Sequence, residues 1–529
     1  MKRSFRITAV ALFTLAIALG GIVGDRVLAL TDEARDHLRA YTELINAAHD
    51  HYGVAVSYRD LVFASVQGML RTLDPHTSFL PPEAYTGMRE KQQTSFYGLG
   101  ILVGLRDGQL TVISPLEGSP AARQGVQAGD VISTIEGEAT ETLSLDEAVQ
   151  KLKGPKGTQV KITIVRRGLD KPLALAIQRA EIPQTTVRSA YMLDGETGYI
   201  LLSEFARGTG REVADAVEKL KAKGMKRLVF DLRNNGGGLL DQAIDVVDQF
   251  VPSGSLIVQT RGRTRDSVQE YRADGKYAAL DMPVVVLVNE GTASAAEIVS
   301  GALQDHDMAL VAGEPSWGKG LVQTVYNLSY GSGLALTTAK YYTPSGRLIQ
   351  RDYTSYFDYY THAGAGPPKP GAGHVQTYQT DLGRKVYGGG GITPDVDVED
   401  DKLSTFQQFL LARNAFFTFA VDYKGRHQIP SPDWKPDDAV LDDFRAFLSK
   451  EKVATADEIK AAFAKPDERD FVLLQIRAEV LNDAFGQEAR SRVITASDKQ
   501  VKAAFGLFPR AAQMLAQRLN LKEERRAAK

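Results

Sequence analysis

The run Pro283–Val288, PVVVLV, constrains this chain more than any other stretch. It is apolar, β-branched and bounded by polar residues, which suits a strand buried on both faces. Gly291, Thr292 and Ala293 then form a tight turn, and from Ala295 the pattern AAEIVSGAL is helical. Ser294 therefore stands where a buried strand hands over to a helix. The free N–H groups and positive dipole end of a helix N-terminus favour a developing oxyanion there. Ser294 with Glu297 three residues on is also a capping-box pattern, so nucleophile and cap are both open on this stretch alone.

The second half of the stretch adds Lys319, between Gly318 and Gly320, and Gln323. Leu321 to Tyr326 reads as a strand, and in an extended chain Lys319, Leu321 and Gln323 share a face. A lysine serves as general base for a serine when burial lowers its pKa. Bringing a lysine from about 10.4 to near 7 takes roughly 4–5 kcal/mol of differential interaction. A neighbouring amide such as Gln323 could orient the neutral amine, and the rate of such an enzyme rises with pH. In isolation a solvated loop lysine and an edge-strand glutamine are equally at home here.

GTASAAE followed by GKGLVQ resembles the serine–lysine core of the C-terminal processing peptidases, also called tail-specific proteases. Lys319 follows Ser294 at the family's spacing of 25 residues. The resemblance implies Ser294 as nucleophile, Lys319 as base and Gln323 as the residue that positions the lysine. Ala296 departs from the many members that carry a second serine there. DLRNNGGG, residues 231–238, resembles the family's oxyanion loop and implies an oxyanion hole from the N–H groups of Gly237 and Ala295. Asp231 reads as a structural anchor of that loop. A Ser/His/Asp alternative through His306 is weaker, because the intervening helix carries His306 roughly 15 Å or more from Ser294.

Residues 94–180 resemble a PDZ domain. Tyr97, Gly98, Leu99, Gly100 and Ile101 are similar to its carboxylate-binding loop and following strand, with Leu145 to Leu152 as the helix that lines the groove. Glycines let backbone N–H groups converge on a chain-terminal carboxylate, and the strand can pair with an incoming peptide.

The chain has 529 residues, enough for several domains. Lys and Arg number 63 against 65 Asp and Glu, a net charge of −2 that gives no nucleic-acid signature. There is no cysteine, which excludes a thiolate nucleophile and cysteine-based metal sites. HExxH and GxSxG are absent, and Gly98-Leu99-Gly100 lacks the third glycine of a dinucleotide fingerprint, with Val103 in its place. No metal or cofactor is expected. Lys2, Arg3 and Arg6 precede the uncharged run Ile7–Val23, 17 residues long, which reads as a secretory signal or an uncleaved anchor. Val27-Leu28-Ala29 offers a cleavage site. Basic residues ahead of the run send the rest outward, to a periplasmic or other extracytoplasmic location, held at the inner membrane if the segment is uncleaved.

The expected architecture is multidomain, α/β and α+β. Residues 1–30 are the signal or anchor, 31–93 an N-terminal helical region, and 94–180 the β-rich PDZ domain. Residues 181–400 form an α/β serine-protease core with an insertion at 351–390, and 401–529 a helical C-terminal extension. The insertion, about 40 residues rich in Tyr, Gly and Pro, is long for a loop. Asp74-Pro75-His76-Thr77 breaks the N-terminal helical pattern, with His76 read as structural. The extension shows no chemistry and suits self-association or docking to the core.

The function this implies is an exported serine endopeptidase that cuts polypeptides near their C-termini. The PDZ domain binds the tail and gates activity, and a regulatory adaptor and homo-oligomers are compatible partners. The alternative is a catalytically idle PDZ scaffold that only tethers partner tails.

Overall fold

A computed structural model describes residues 32–361 and 376–527. The run Ile7–Val23 lies outside them. No helix among the described residues is long and apolar enough to cross a membrane. The chain divides into two compact units, one formed by residues up to Pro81 with Val325–Leu336, the other by Pro82–Thr324 and residues from Thr337 onward.

In the first unit, helices Asp32–His51 and Tyr58–Arg71 precede the short strand Ser78–Leu80. That strand pairs antiparallel with Gly333–Ala335. Phe63 and Phe79 meet with ring centroids 4.9 Å apart. At the break between them, one Asp74 oxygen accepts from the backbone N–H groups of His76 and Thr77, both at 2.8 Å. This is the local turn chemistry that an Asp supplies.

In the second unit, the PDZ-like sheet runs in the order Ile101–Arg106, Gln109–Pro115, Val131–Ile135, Gln159–Val165, Leu173–Gln178. Its core holds Leu99, Val112, Ile132, Val160 and Ile162 with Ala148 and Leu152 of the helix Leu145–Leu152. Ile101–Arg106 is an edge strand in that order.

The larger sheet runs in the order Val187–Met192, Thr197–Leu202, Arg227–Asp231, Val284–Val288, Leu310–Gly313, Val396–Asp397. The first pair is antiparallel and all later pairs are parallel. Side chains alternate across a strand, so Val284–Val288 needs cover on two faces. Val284, Val286 and Val288 pack with the helices Thr209–Ala222, Leu240–Asp248 and Ala295–Asp305. Val285 and Leu287 pack on the other side with Val501, Ala504 and Phe508 of the last helix, Lys499–Ala527. The C-terminal region thus docks onto the core and supplies one of its three layers. The preceding helices, from Thr405 to Phe485, enclose an aromatic core of their own around Phe416, Phe419, Phe444 and Phe447.

Candidate active site

The candidate residues gather at the carboxyl ends of two adjacent parallel strands, Arg227–Asp231 and Val284–Val288. Open parallel sheets place ligands there. The two loops that leave these ends are laced together. Asn289 Oδ1 accepts from the Asn234 N–H at 2.8 Å, and Asn289 Nδ2 donates to Asn234 Oδ1 at 3.1 Å. Thr292 Oγ1 donates to the Leu232 carbonyl at 2.8 Å, and the Ala293 N–H donates to the Asn235 carbonyl at 2.9 Å.

Ser294 has φ 56° and ψ −117°. These are the angles of the first central residue of a type II′ turn, where glycine is usual. A non-glycine residue held there stores about 1–3 kcal/mol of strain, and such strain clusters at functional sites. The turn is fixed from below by Glu297. Its Oε2 accepts from the Ser294 N–H at 2.7 Å and from the Lys319 N–H at 2.9 Å. Its Oε1 accepts from Ser316 Oγ at 2.5 Å and from the Gly318 N–H at 2.8 Å. One carboxylate oxygen therefore holds the backbones of both candidate catalytic residues. Glu297 is fully buried; burial raises its pKa, and the four donors oppose that rise.

Tyr341 makes a second tie. Its hydroxyl donates to the Lys319 carbonyl and shares a hydrogen bond with the Ser294 side chain. Burial, reinforced by the charge of Glu297, holds this phenol well above its ordinary pKa, so it remains a donor. The Trp317 N–H donates to the Thr292 carbonyl at 2.8 Å, which binds the lysine segment to the serine turn. Lys319 is half-buried. Gln323 follows on the strand Leu321–Asn327, and its Nε2 donates to Thr337 Oγ1 at 3.3 Å.

Gly237 lies against the serine. A Cβ at this position would stand 2.8 Å from Ser294 Cβ and 2.9 Å from the Ala295 nitrogen, and its φ of +95° also favours glycine. The N–H of Gly237 is turned to Asn235 Oδ1 at 2.9 Å, and its carbonyl accepts from the Phe205 N–H at 2.9 Å. So the loop lies beside Ser294, with the Gly237 N–H engaged internally. Asp231 accepts from the Arg233 N–H at 3.0 Å and from the Tyr199 hydroxyl at 2.8 Å, an anchoring role. His306 closes the far end of the helix Ala295–Asp305. Its Nδ1 pairs with Asp381 at 2.8 Å and its Nε2 with the Leu256 carbonyl at 2.6 Å.

Sequence reasoning missed Glu297 as a hub and missed Tyr341. The Ser294/Glu297 spacing did signal a cap, and half of that box forms through the Ser294 N–H. The longer reach of Glu297 to residues 316–319 leaves no local mark, nor does the approach of Tyr341 from a strand that reads as LALTTAKYY.

In the PDZ-like domain, Gly100 has φ +72° and packs against Ser119, where a Cβ would overlap. The carbonyls of Leu99 and Gly100 accept from the N–H groups of Ala121 at 3.0 Å and Leu116 at 2.8 Å. Leu99 is buried, Tyr97 is exposed, and Gly98 ends the strand Ser95–Gly98. Ile101 begins the edge strand. A cavity of about 850 Å³ has Leu102 and Arg106 of that strand on one wall and Asn234 and Asn289 of the serine-side loops on another.

Residues 196–355 match Peptidase family S41, residues 111–166 a PDZ domain, and residues 406–469 the C-terminal helical domain described for probable PDZ-proteases. The chain is similar to a carboxy-terminal-processing protease of Bartonella bacilliformis, 41% identical over 317 residues that cover 59% of this chain and 72% of that one. It is also similar to the carboxy-terminal processing protease CtpA of Bacillus subtilis, 34% identical over 361 residues, 66% of this chain and 76% of the relative. Among solved structures, a photosystem II D1 C-terminal processing protease matches at 28% identity and a TM-score of 0.36, over 68% of this chain and 92% of the other. The chain is therefore a serine peptidase of family S41, one of the PDZ-bearing C-terminal processing proteases.

Proposed function

We propose that this protease works through a Ser294/Lys319 dyad, on an exported chain, and cleaves polypeptides near C-terminal tails held by its PDZ domain. The observation that carries the dyad is the shared Glu297 Oε2, which fixes the backbones of Ser294 and Lys319 at once. In the mechanism, Ser294 Oγ attacks the scissile carbonyl carbon while its proton passes to the neutral Nζ of Lys319. The oxyanion that forms is stabilised by the Ala295 N–H and, once its bond to Asn235 opens, by the Gly237 N–H. Collapse breaks the C–N bond, and Lys319 returns the proton to the leaving amine. Water, deprotonated by the same lysine, then frees Ser294 from the acyl-enzyme. Gln323 orients the lysine.

Tail binding uses the loop Tyr97–Gly100 for the carboxylate and the edge strand from Ile101 for main-chain pairing. The cavity shared by that strand and the Asn234/Asn289 loops supports passage of the tail from one site to the other. Export is supported by the basic start and the apolar run Ile7–Val23.

The test is cleavage of casein and of a tailed peptide by wild type, Ser294→Ala and Lys319→Ala. Loss of cleavage in both variants, with tail binding retained, is expected. Equal cleavage by wild type and Lys319→Ala would remove the lysine from the mechanism.

A further inference from the structure

The loop that carries Gly237 is held at its start from an unexpected quarter. Arg233 precedes Asn234 and is largely buried. Its Nη2 meets Asp231 at 2.6 Å and Asp498 at 2.8 Å, and its Nη1 donates to Gln500 Oε1 at 2.9 Å. Asp498 and Gln500 belong to the last segment of the chain, more than 260 residues away in sequence. Each is fixed from its other side. Asp498 Oδ1 caps the final helix by accepting the Val501 N–H at 2.9 Å, and Gln500 Nε2 donates to the Val398 carbonyl at 2.7 Å. Gln500 is fully buried. Burial opposes the charge on Arg233, but Asp231 and Asp498 outweigh it, so the guanidinium stays charged.

From Arg233 the connection runs in short steps to the serine. Asn234, at φ 58°, is bonded to Asn289. Asn235 holds the Ala293 N–H and the Gly237 N–H. Gly237 lies so close to Ser294 that an added Cβ would stand 2.8 Å from the serine Cβ. An Arg at such a position has a planar fork that reads geometry as well as charge. Displacing it moves the loop whose donors must meet the oxyanion, and such donors act only when placed within tenths of an ångström.

We infer that the C-terminal helical region takes part in the chemistry through Asp498 and Gln500, positioning residues that hold Arg233 and, through it, the Asn234–Gly238 loop against Ser294. This rests on the reading of Ser294 as nucleophile and of that loop as its oxyanion site.

Asp498→Ser keeps a capping oxygen but is too short to reach Arg233. Gln500→Met keeps the volume and loses the acceptor. The full-length protein carrying both, and each alone, is assayed for kcat and KM on a tailed peptide, for affinity to a peptide boronic acid, and for melting temperature. The boronate forms a tetrahedral adduct on the serine and so reports on the oxyanion site. Expected for the double variant is a fall in kcat of about tenfold or more, less than the 10²–10³ of a deleted donor. Boronate affinity should fall in parallel, with KM changed less than about twofold. Asp498→Asn, whose single oxygen can serve the Val501 N–H or Arg233 but not both, should lower kcat as Asp498→Ser does, and Lys499→Ala should behave as wild type. Wild-type kcat and boronate affinity in a folded double variant would overturn the inference. If the double variant does not fold, Gln500→Met alone decides by the same readouts. Ser294→Ala separates the two readings. Activity in Ser294→Ala would sink the nucleophile assignment, whereas an inactive Ser294→Ala beside a fully active double variant would sink only the role of Asp498 and Gln500.

Discussion

Glu297 accepts four hydrogen bonds inside the protein, and two of them converge on a single oxygen from the backbones of Ser294 and Lys319. A carboxylate can accept from all four donors, whereas an amide must turn one acceptor into a donor facing another N–H. Hydrogen bonds to a buried charge contribute about 1.5–3 kcal/mol each. Glu297→Gln should therefore lower kcat/KM by about tenfold or more with the fold retained, checked by peptide kinetics beside circular dichroism. Unchanged kinetics would show that the shared oxygen is not needed to hold the pair. At this scale the sequence was legible wherever the cause was local. The strand-to-helix turn at Ser294 and the glycines at 236–238 announce themselves. Tyr341, Asn235 and the full reach of Glu297 act across loops and strands, and no spacing rule encodes such contacts.

Among elements, the helix Ala295–Asp305 is fixed at both ends. Its first turn holds the Glu297 hub, and its far end is pinned through His306 to Asp381 and the Leu256 carbonyl. Burial and the nearby Arg518 disfavour the imidazolium, but these two acceptors prevail, and the His306 pKa is raised. A raised histidine pKa adds stability that is fully present below the unfolded value near 6.5 and is lost as pH rises through the folded value. Urea unfolding of wild type should therefore show stability falling as pH climbs upward from about 6.5, and His306→Gln should lack that component. Parallel pH profiles for the two proteins would contradict the account.

The strand Val284–Val288 was readable because its apolar run admits only burial on two faces. Within the C-terminal extension, the continuous apolar periodicity from Phe406 to Val421 spans two helices, Thr405–Ala412 and Ala415–Arg426, broken where Asn414 takes φ 51°. Asn enters the left-handed region at little cost, so the break leaves the apolar periodicity intact and hidden. The 351–390 insertion reads as loop but contains the helix Tyr356–Thr361 and a hairpin, Thr377–Gln379 with Lys385–Tyr387. Tyr359 of that helix is buried with its ring edge-on to Trp317, so tertiary packing of aromatics supplies order where periodicity is absent.

For the whole molecule, the decisive feature is that the protease sheet borrows its third layer from the end of the chain. Tyr199, Val229, Val285 and Leu287 are covered by Val501, Ala504 and Phe508. Phe508→Ala should cost about 3–5 kcal/mol, as for other large core truncations, read as a lowered urea midpoint. A loss below about 1 kcal/mol would mean that the layer is dispensable. The sequence reads residues 401–529 as helical but leaves open the surface they cover, because an amphipathic face does not name its partner.

The central claim is that a lysine amine activates Ser294, and covalent labelling tests it most directly. Wild type incubated with a fluorophosphonate should gain a single adduct by intact-mass spectrometry, mapping to the peptide that contains Ser294. Lys319→Ala, folded and at the same concentration, should remain essentially unlabelled over the same time. An adduct on another residue, or equal labelling rates in the two proteins, would contradict the account.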